Sequence, residues 1–79
     1  MAVFPNPASG RVNIELPEYF ANGKTQIDVV NLFGQIVLHV NAVNQSWMEI
    51  AIDQLPAGHY LVRAISEGGN IVTASLEVQ

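Results

Sequence analysis

Few side chains in this chain of 79 residues could perform catalysis or bind a metal ion. The only histidines are His39 and His59, and a metal site would need both, completed by a carboxylate such as Glu49 or Asp53. Two histidines in a strand-rich chain are more often surface or packing residues, so we expect no metal ion. The chain has no cysteine, which excludes disulfides and thiolate ligands.

Nucleophilic and acid–base catalysis are not indicated either. No serine lies in the Gly-x-Ser-x-Gly pattern of a nucleophile elbow. Asp28, Glu49 and Asp53 are expected on separate strands or loops, so spacing suggests no pair of carboxylates for proton transfer. The pair Gly68-Gly69 is too short to form a phosphate-binding loop. We therefore expect no enzymatic activity and no cofactor.

Charge and length narrow the class of protein further. Three basic residues against seven acidic ones give a net charge of −4, which disfavours nucleic acid and anionic lipid as partners because both require a basic patch. The length fits one domain, residues 1–79, and the low charged fraction of 13% fits a module attached to a larger protein. Met1 lies two residues before the first apparent strand. We therefore expect Met1 and Ala2 to be an added start and the natural chain to continue upstream.

Alternation of apolar and polar residues predicts β-strands throughout the chain. Turn residues recur every 8–12 residues, which is typical of an antiparallel sandwich. We predict an all-β fold, an immunoglobulin-like antiparallel β-sandwich of about seven strands, with essentially no helix. The strands are predicted at residues 3–5, 12–16, 25–32, 35–43, 47–52, 59–66 and 71–78.

The segment Leu55-Pro56-Ala57-Gly58-His59-Tyr60 predicts a corner where the chain crosses between two sheets. In immunoglobulin-like sandwiches a tyrosine at such a corner buries its ring and hydrogen-bonds the backbone a few residues upstream. Pro56 would fix the backbone before the corner, and Gly58 would relax it. The segment is either scaffolding or part of a surface that a partner recognises.

Two further segments combine turn residues with an aromatic side chain. Val3-Phe4-Pro5-Asn6-Pro7 predicts a rigid first strand anchored by Phe4; it is an edge strand, a junction with an upstream domain, or both. Asn31-Leu32-Phe33-Gly34-Gln35 predicts a hairpin tip in which Gly34 takes a positive φ. We expect Phe33 to pack beneath this turn; an exposed Phe33 would instead mark a contact with a partner.

In this order the segments resemble the C-terminal sorting domain of cargo proteins of the type IX secretion system, also called the Por secretion system type A sorting domain. The stretches that carry the resemblance are residues 3–14, 27–37 and 52–63. The Pro-Asn-Pro opening and the Leu-Pro-Ala-Gly-x-Tyr segment are specific in combination. The resemblance implies an immunoglobulin-like sandwich at the end of a large exported protein.

The resemblance also implies a route and partners. The cargo crosses the inner membrane by a separate signal peptide, and an outer-membrane translocon with its shuttle proteins then reads the folded domain in the periplasm. A sortase-like cysteine peptidase commonly removes the domain, here upstream of Val3, and the cargo is released or stays at the cell surface. The residues that the resemblance assigns to partner recognition are Pro5, Asn6, Pro7, Gly34, Leu55, Pro56, Gly58, Tyr60, Val62, Arg63, Leu76 and Val78.

The last strand is expected to be the docking element. Its residues alternate between an apolar and a polar face, and a free backbone edge binds partners with little regard to side chains. The same edge would allow two copies of the domain to pair.

Two other functions stay open. A fibronectin-like or carbohydrate-binding accessory module would present exposed aromatic rings in a flat row, for which the candidates are Tyr19, Phe33 and Trp47. A passive spacer would need no partner.

Overall fold

The computed structural model describes all 79 residues and contains seven strands and one three-residue 3₁₀ turn, Glu18–Phe20. No helix in it is long and apolar enough to cross a membrane. The strands in chain order are β1 (Ala2–Ser9), β2 (Arg11–Glu15), β3 (Lys24–Val30), β4 (Ile36–Val43), β5 (Trp47–Ala51), β6 (Gly58–Ser66) and β7 (Ile71–Val78).

The strands form two layers. One antiparallel sheet has the order β4-β3-β6-β7, and the other has the order β1-β2-β5. The layers join along one side, where the end of β1 makes a single parallel pairing with β7 between Ala8 and Val78. The outer strands β4 and β5 remain as free edges. The prediction of an all-β, immunoglobulin-like antiparallel sandwich of seven strands is confirmed.

The core lies between the two layers. Sixteen buried apolar residues form one cluster, and along β6 the inward residues Tyr60, Val62 and Ala64 alternate with outward ones, as the period of two requires. Phe20, on the 3₁₀ turn, fills the core with the largest fully buried side chain, whereas its neighbour Tyr19 is exposed.

Strand boundaries differ from the prediction in two places that concern the motifs. The first strand extends from Ala2 to Ser9 rather than over residues 3–5. Within it, Val3 packs against the core while Phe4 is 42% exposed, so Phe4 is not the expected anchor. The third strand ends at Val30, because the side chain of Asn31 bonds the backbone of the following turn instead of continuing the ladder.

Candidate functional site

The segments singled out in the sequence meet at one end of the sandwich. Val30, which ends β3, pairs with Leu61 near the start of β6, and Gly58 at the start of β6 pairs with Val78 at the end of β7. The hairpin tip, the crossing loop and the last residues therefore share this end. We define the motif rim as residues 5–7, 31–35, 55–60 and 75–79.

His59 borders two depressions in the motif rim. One of about 240 Å³ lies between the hairpin tip and residues 57–60. The other, of about 370 Å³, lies between His59, the Asn6-Pro7 pair and residues 75–77. Both open broadly to solvent, unlike the concave sites that enclose most of a small ligand. Neither depression therefore encloses a small molecule in the way a typical ligand pocket does.

Asn6 fastens the first strand to the last one through its side chain. Its Nδ2 donates to the backbone oxygen of Ser75 at 3.1 Å, and its Oδ1 accepts from the backbone N–H of Glu77 at 2.9 Å. The backbone N–H of Gln79 donates to the oxygen of Ala8 at 2.9 Å. The side chain of Asn6 thus satisfies backbone groups that a neighbouring strand would otherwise pair.

This arrangement corrects the expectation of a free edge at the last strand. From Ser75 onward, β7 is flanked by β6 on one side and by Asn6 and Ala8 on the other. Proline at positions 5 and 7 has no N–H to give to a ladder, so the side chain between them makes the contact instead. The strands that have a neighbour on one side only are β4 and β5, which the sequence did not single out, and the first half of β7, Ile71 to Ala74, pairs with β6 alone.

The tyrosine corner predicted from the sequence is present. The ring of Tyr60 is buried, and its hydroxyl donates to the backbone oxygen of Pro56, four residues upstream. Gly58 lies between them with a φ of +153°, a conformation that side-chain-bearing residues rarely adopt. The corner therefore holds the crossing loop at a fixed position beneath the hairpin tip.

The hairpin tip is closed by hydrogen bonds of the Asn31 side chain and exposes two apolar side chains. Oδ1 of Asn31 accepts from the backbone N–H groups of Phe33 at 2.9 Å and Gln35 at 3.0 Å, and its Nδ2 donates to the side-chain oxygen of Gln35 at 2.9 Å. Gly34 completes the turn with a φ of +82°. Leu32 and Phe33 are 79% and 89% exposed, so the expectation that Phe33 packs beneath the turn is wrong.

The twelve residues assigned to recognition fall into three groups by burial. Exposed on the motif rim are Pro5, Asn6, Pro7, Gly34 and Pro56. Half-buried are Leu55, Gly58 and Arg63, and buried in the core are Tyr60, Val62, Leu76 and Val78. The side chains of the third group lie in the core, and only the first two groups expose atoms at the surface of the folded domain.

A buried ionic cluster on the outer face of the four-stranded sheet was missed. The side chain of Asp28 is fully buried between β4 and β6, where His39 Nδ1 lies 2.7 Å from its Oδ1 and Arg63 Nη2 donates to its Oδ2 at 3.1 Å. Gln26 Nε2 also donates to Oδ2, at 3.0 Å. The available signal was an acidic residue inside the apolar run Ile27–Val30, a position where a carboxylate needs partners.

The surroundings of Asp28 determine its protonation. Burial raises the pKa of this carboxyl, but the hydrogen bonds from His39, Gln26 and Arg63 outweigh burial and hold the pKa below its usual value of 3.8. Nε of Arg63 is buried and has no hydrogen-bond partner. Asp28 is therefore a charged residue whose partners fasten three strands together across the sheet.

The two histidines each lie beside a carboxylate rather than a hydroxyl group. His39 bonds Asp28, His59 lies 3.8 Å from a carboxylate oxygen of Glu77, and no hydroxyl group is hydrogen-bonded to either imidazole. A nucleophile needs such a base within reach. No group of three or more His, Cys, Asp or Glu side chains is placed to hold a metal ion.

The three candidate aromatic rings lie at two ends of the molecule. Tyr19 precedes the start of β3, while Phe33 follows its end, and the seven residues of β3 span about 20 Å. Trp47 follows the turn whose Asn44 N–H donates to the oxygen of Gly23, so it shares the end of Tyr19. Phe33 therefore stands apart from the other two.

Comparison with known families gives one match. The family described as "Secretion system C-terminal sorting domain" matches residues 2–78, which is nearly the whole chain. The match includes every residue of the motif rim except Gln79. No curated protein matches the chain.

Proposed function

Because the chain belongs to the family of C-terminal sorting domains of type IX secretion, we propose that it directs an upstream cargo protein across the outer membrane. The family match over residues 2–78 is the observation that carries this proposal. A sorting-signal family implies export to the cell surface or release from the cell, secretion machinery as partner, and no catalysis by the domain itself.

The route follows from the family role. The cargo passes the inner membrane by its own signal peptide, and the folded domain is read in the periplasm by the outer-membrane translocon and its shuttle proteins. A sortase-like cysteine peptidase then removes the domain upstream of Val3. The cargo is released or remains at the cell surface.

A rigid epitope suits a machine that handles many unrelated cargos. The motif rim carries exposed prolines and glycine at Pro5, Pro7, Gly34 and Pro56, whose shape is set by backbone rather than by mobile side chains. The buried residues Tyr60, Val62, Leu76 and Val78 act by positioning this rim. Arg63 acts likewise, since its guanidinium bonds the buried Asp28.

Export of a reporter tests the proposal. Residues 1–79 are fused behind a signal peptide and a reporter in a host that has type IX secretion, and the reporter is measured at the surface, in the medium and in the periplasm. The fusion should leave the periplasm. Two controls should remain in the periplasm. One is the reporter without the domain, and the other is a fusion in which the fully buried Val62 is replaced by Asp.

Two outcomes contradict the proposal. Equal export with and without the domain would make it a passive spacer. Retention of the intact fusion in the periplasm would mean that the domain carries no sorting information. Mass spectrometry of the exported reporter tests the peptidase step, because removal upstream of Val3 eliminates every peptide of the domain.

A carbohydrate-binding accessory module gains no support from the geometry. Stacking on a sugar chain calls for a flat row of rings, and Phe33 lies at the opposite end of β3 from Tyr19 and Trp47.

A further inference from the structure

We propose that Leu32 and Phe33 form an apolar plug that enters an apolar socket on the protein that receives the domain at the outer membrane. This inference rests on the proposed function and deepens it by assigning the contact. The two side chains are the most exposed large apolar residues of the domain, at 79% and 89%. Isolated exposed apolar residues are common, but two adjacent ones on a rigid tip form a patch that water solvates poorly.

Hydrogen bonds within the turn order the backbone that carries the plug. Asn31 makes three side-chain hydrogen bonds within the turn, and its backbone N–H donates to the oxygen of Gln35 at 2.9 Å. The backbone N–H of Gly34 donates to the oxygen of Asn31 at 3.0 Å. The backbone of the turn is thus ordered before binding, so only the side chains of Leu32 and Phe33 lose conformational freedom in the complex, which favours affinity for a fitted partner.

A hollow lies beside the plug and extends the apolar surface. The depression of about 240 Å³ is bordered by the apolar residues Leu32, Phe33, Ala57 and Tyr60, by the small residue Gly58, and by the polar side chains of Asn31 and His59. A Cβ atom added at Gly58 would meet no heavy atom within 4 Å. The plug and this hollow together allow a partner to interlock with the domain, with an apolar side chain of its own beside Phe33.

The charges of the chain favour a protein socket over a membrane. No charged residue occurs between Asp28 and His39. Lys24 lies at the far end of β3, while Arg11 is bonded to Glu49 at 2.6 Å and Arg63 is bonded to Asp28. His59 borders the hollow beside the tip, but its Nδ1 lies 3.8 Å from a carboxylate oxygen of Glu77. No free Lys or Arg is therefore available at the tip for the anionic headgroups that peripheral proteins usually bind.

The plug is too small to form an interface by itself and must be one part of a larger one. Stable protein interfaces bury roughly 1,200–2,000 Å² in total, more than two side chains supply. A few buried aromatic or aliphatic anchors nevertheless carry most of the binding energy. The plug is therefore an anchor surrounded by the rest of the motif rim. Two plugs packed on each other without the rim would bury too little surface to hold a dimer.

The test uses the reporter fusion with four variants. Leu32→Ser combined with Phe33→Ser removes the plug, and Phe33→Leu keeps it apolar. Ala57→Phe fills the hollow without lowering its apolarity. Trp47→Ser is the matched control, because Trp47 is 54% exposed and lies at the opposite end of the sandwich. Melting temperatures of the 79-residue chains are measured in parallel.

We expect the double serine variant to lower export at least about tenfold, which is the usual scale for losing an anchor residue. Its melting temperature should stay within a few degrees of the wild type, because both side chains are exposed. Phe33→Leu and Trp47→Ser should be exported normally, and Ala57→Phe should be retained in the periplasm. If the melting temperature of the double variant is lowered by more than a few degrees, the export of Phe33→Ser is compared with that of Phe33→Leu instead, because each of these variants changes only one exposed side chain.

The outcomes separate the inference from the proposed function. Failure of the wild-type fusion to be exported overturns the function, whereas normal export of both the double serine and the Ala57→Phe variants overturns only the plug. Vesicles of phosphatidylethanolamine and phosphatidylglycerol test for membrane binding. If the wild-type chain floats with them and the double serine variant does not, the plug binds a membrane and the socket proposal is wrong. Sedimentation velocity tests for a dimer. If the wild-type chain is a dimer and the double serine variant is a monomer, the plug binds a second copy of the chain and the socket proposal is wrong.

Discussion

Asn6 accepts a hydrogen bond from the backbone N–H of Glu77, 71 positions later in the chain, at 2.9 Å. The same amide side chain donates to the backbone oxygen of Ser75. A single side chain between two prolines thus occupies the edge of the last strand. The Pro-Asn-Pro motif consequently has a structural purpose that is independent of any partner.

Replacing Asn6 with Ala should lower the free energy of unfolding by about 1–3 kcal/mol, because two hydrogen bonds are lost and each contributes roughly 0.5–1.5 kcal/mol net. Urea denaturation followed by circular dichroism measures the change. Asn41→Ala is the control, since Asn41 is exposed on β4 and its side chain makes no hydrogen bond; we expect a change within about 0.5 kcal/mol there. If both variants lost the same free energy of unfolding, the hydrogen bonds of Asn6 to the last strand would not contribute to stability.

The tyrosine corner predicts a graded series. Tyr60→Phe should cost about 1 kcal/mol, through the lost hydrogen bond to Pro56, whereas Tyr60→Ala should cost about 3–5 kcal/mol because it also leaves a cavity. Thermal or urea unfolding measures both. Tyr19→Phe, at an exposed tyrosine, should be neutral. A neutral Tyr60→Phe variant would mean that the hydroxyl contributes nothing.

The ionic cluster around Asp28 makes the free energy of unfolding depend on pH in the acidic range. The pKa of Asp28 lies below 3.8 in the folded domain, so its contribution is fully present above that value and is lost as the pH falls through the lower folded pKa. Asp28→Asn should remove this contribution and flatten the profile below about pH 4. Denaturation from pH 7 to pH 2 tests the expectation, and superimposable profiles of variant and wild type would refute it.

At neutral pH, Asp28→Ala should destabilise the domain by roughly 2–3 kcal/mol, because it leaves Arg63 and His39 without their partner. The value lies below that for a fully buried pair, since the side chains of both partners are more than a third exposed and water takes over part of their solvation. Glu49→Ala breaks the exposed pair with Arg11 and should cost under about 1 kcal/mol. Urea denaturation that ranks the two variants in the opposite order would contradict the assignment.

Gly34 should resist substitution for a backbone reason. Gly34→Ala places a side chain at a φ of +82° and should cost about 1–2 kcal/mol, measured by thermal unfolding. Gly68→Ala is the matched control, because Gly68 does not have a positive φ and a Cβ there would meet only Ser66 Oγ at 3.9 Å. A difference of less than about 0.5 kcal/mol between the variants would mean that the turn adapts freely.

Much of the fold was predictable from local patterns. The alternation of apolar residues located six of the seven strands to within two residues at each end, and Tyr60 identified the corner. These features are local, because a period of two and a turn residue act within a few positions of the chain. The first strand was predicted too short, since nothing local indicates that a side chain at position 6 replaces a backbone partner.

The sequence by itself determined the class of fold, the turns and the family, because each is encoded in short stretches and their order. Only the tertiary structure decided which distant groups meet: Asp28 with Arg63, Asn6 with the last strand, and the hairpin tip with the crossing loop. The reason is physical. Pairing between strands 30 to 70 residues apart depends on registers set by the whole core, and a one-residue shift would turn every side chain to the opposite face.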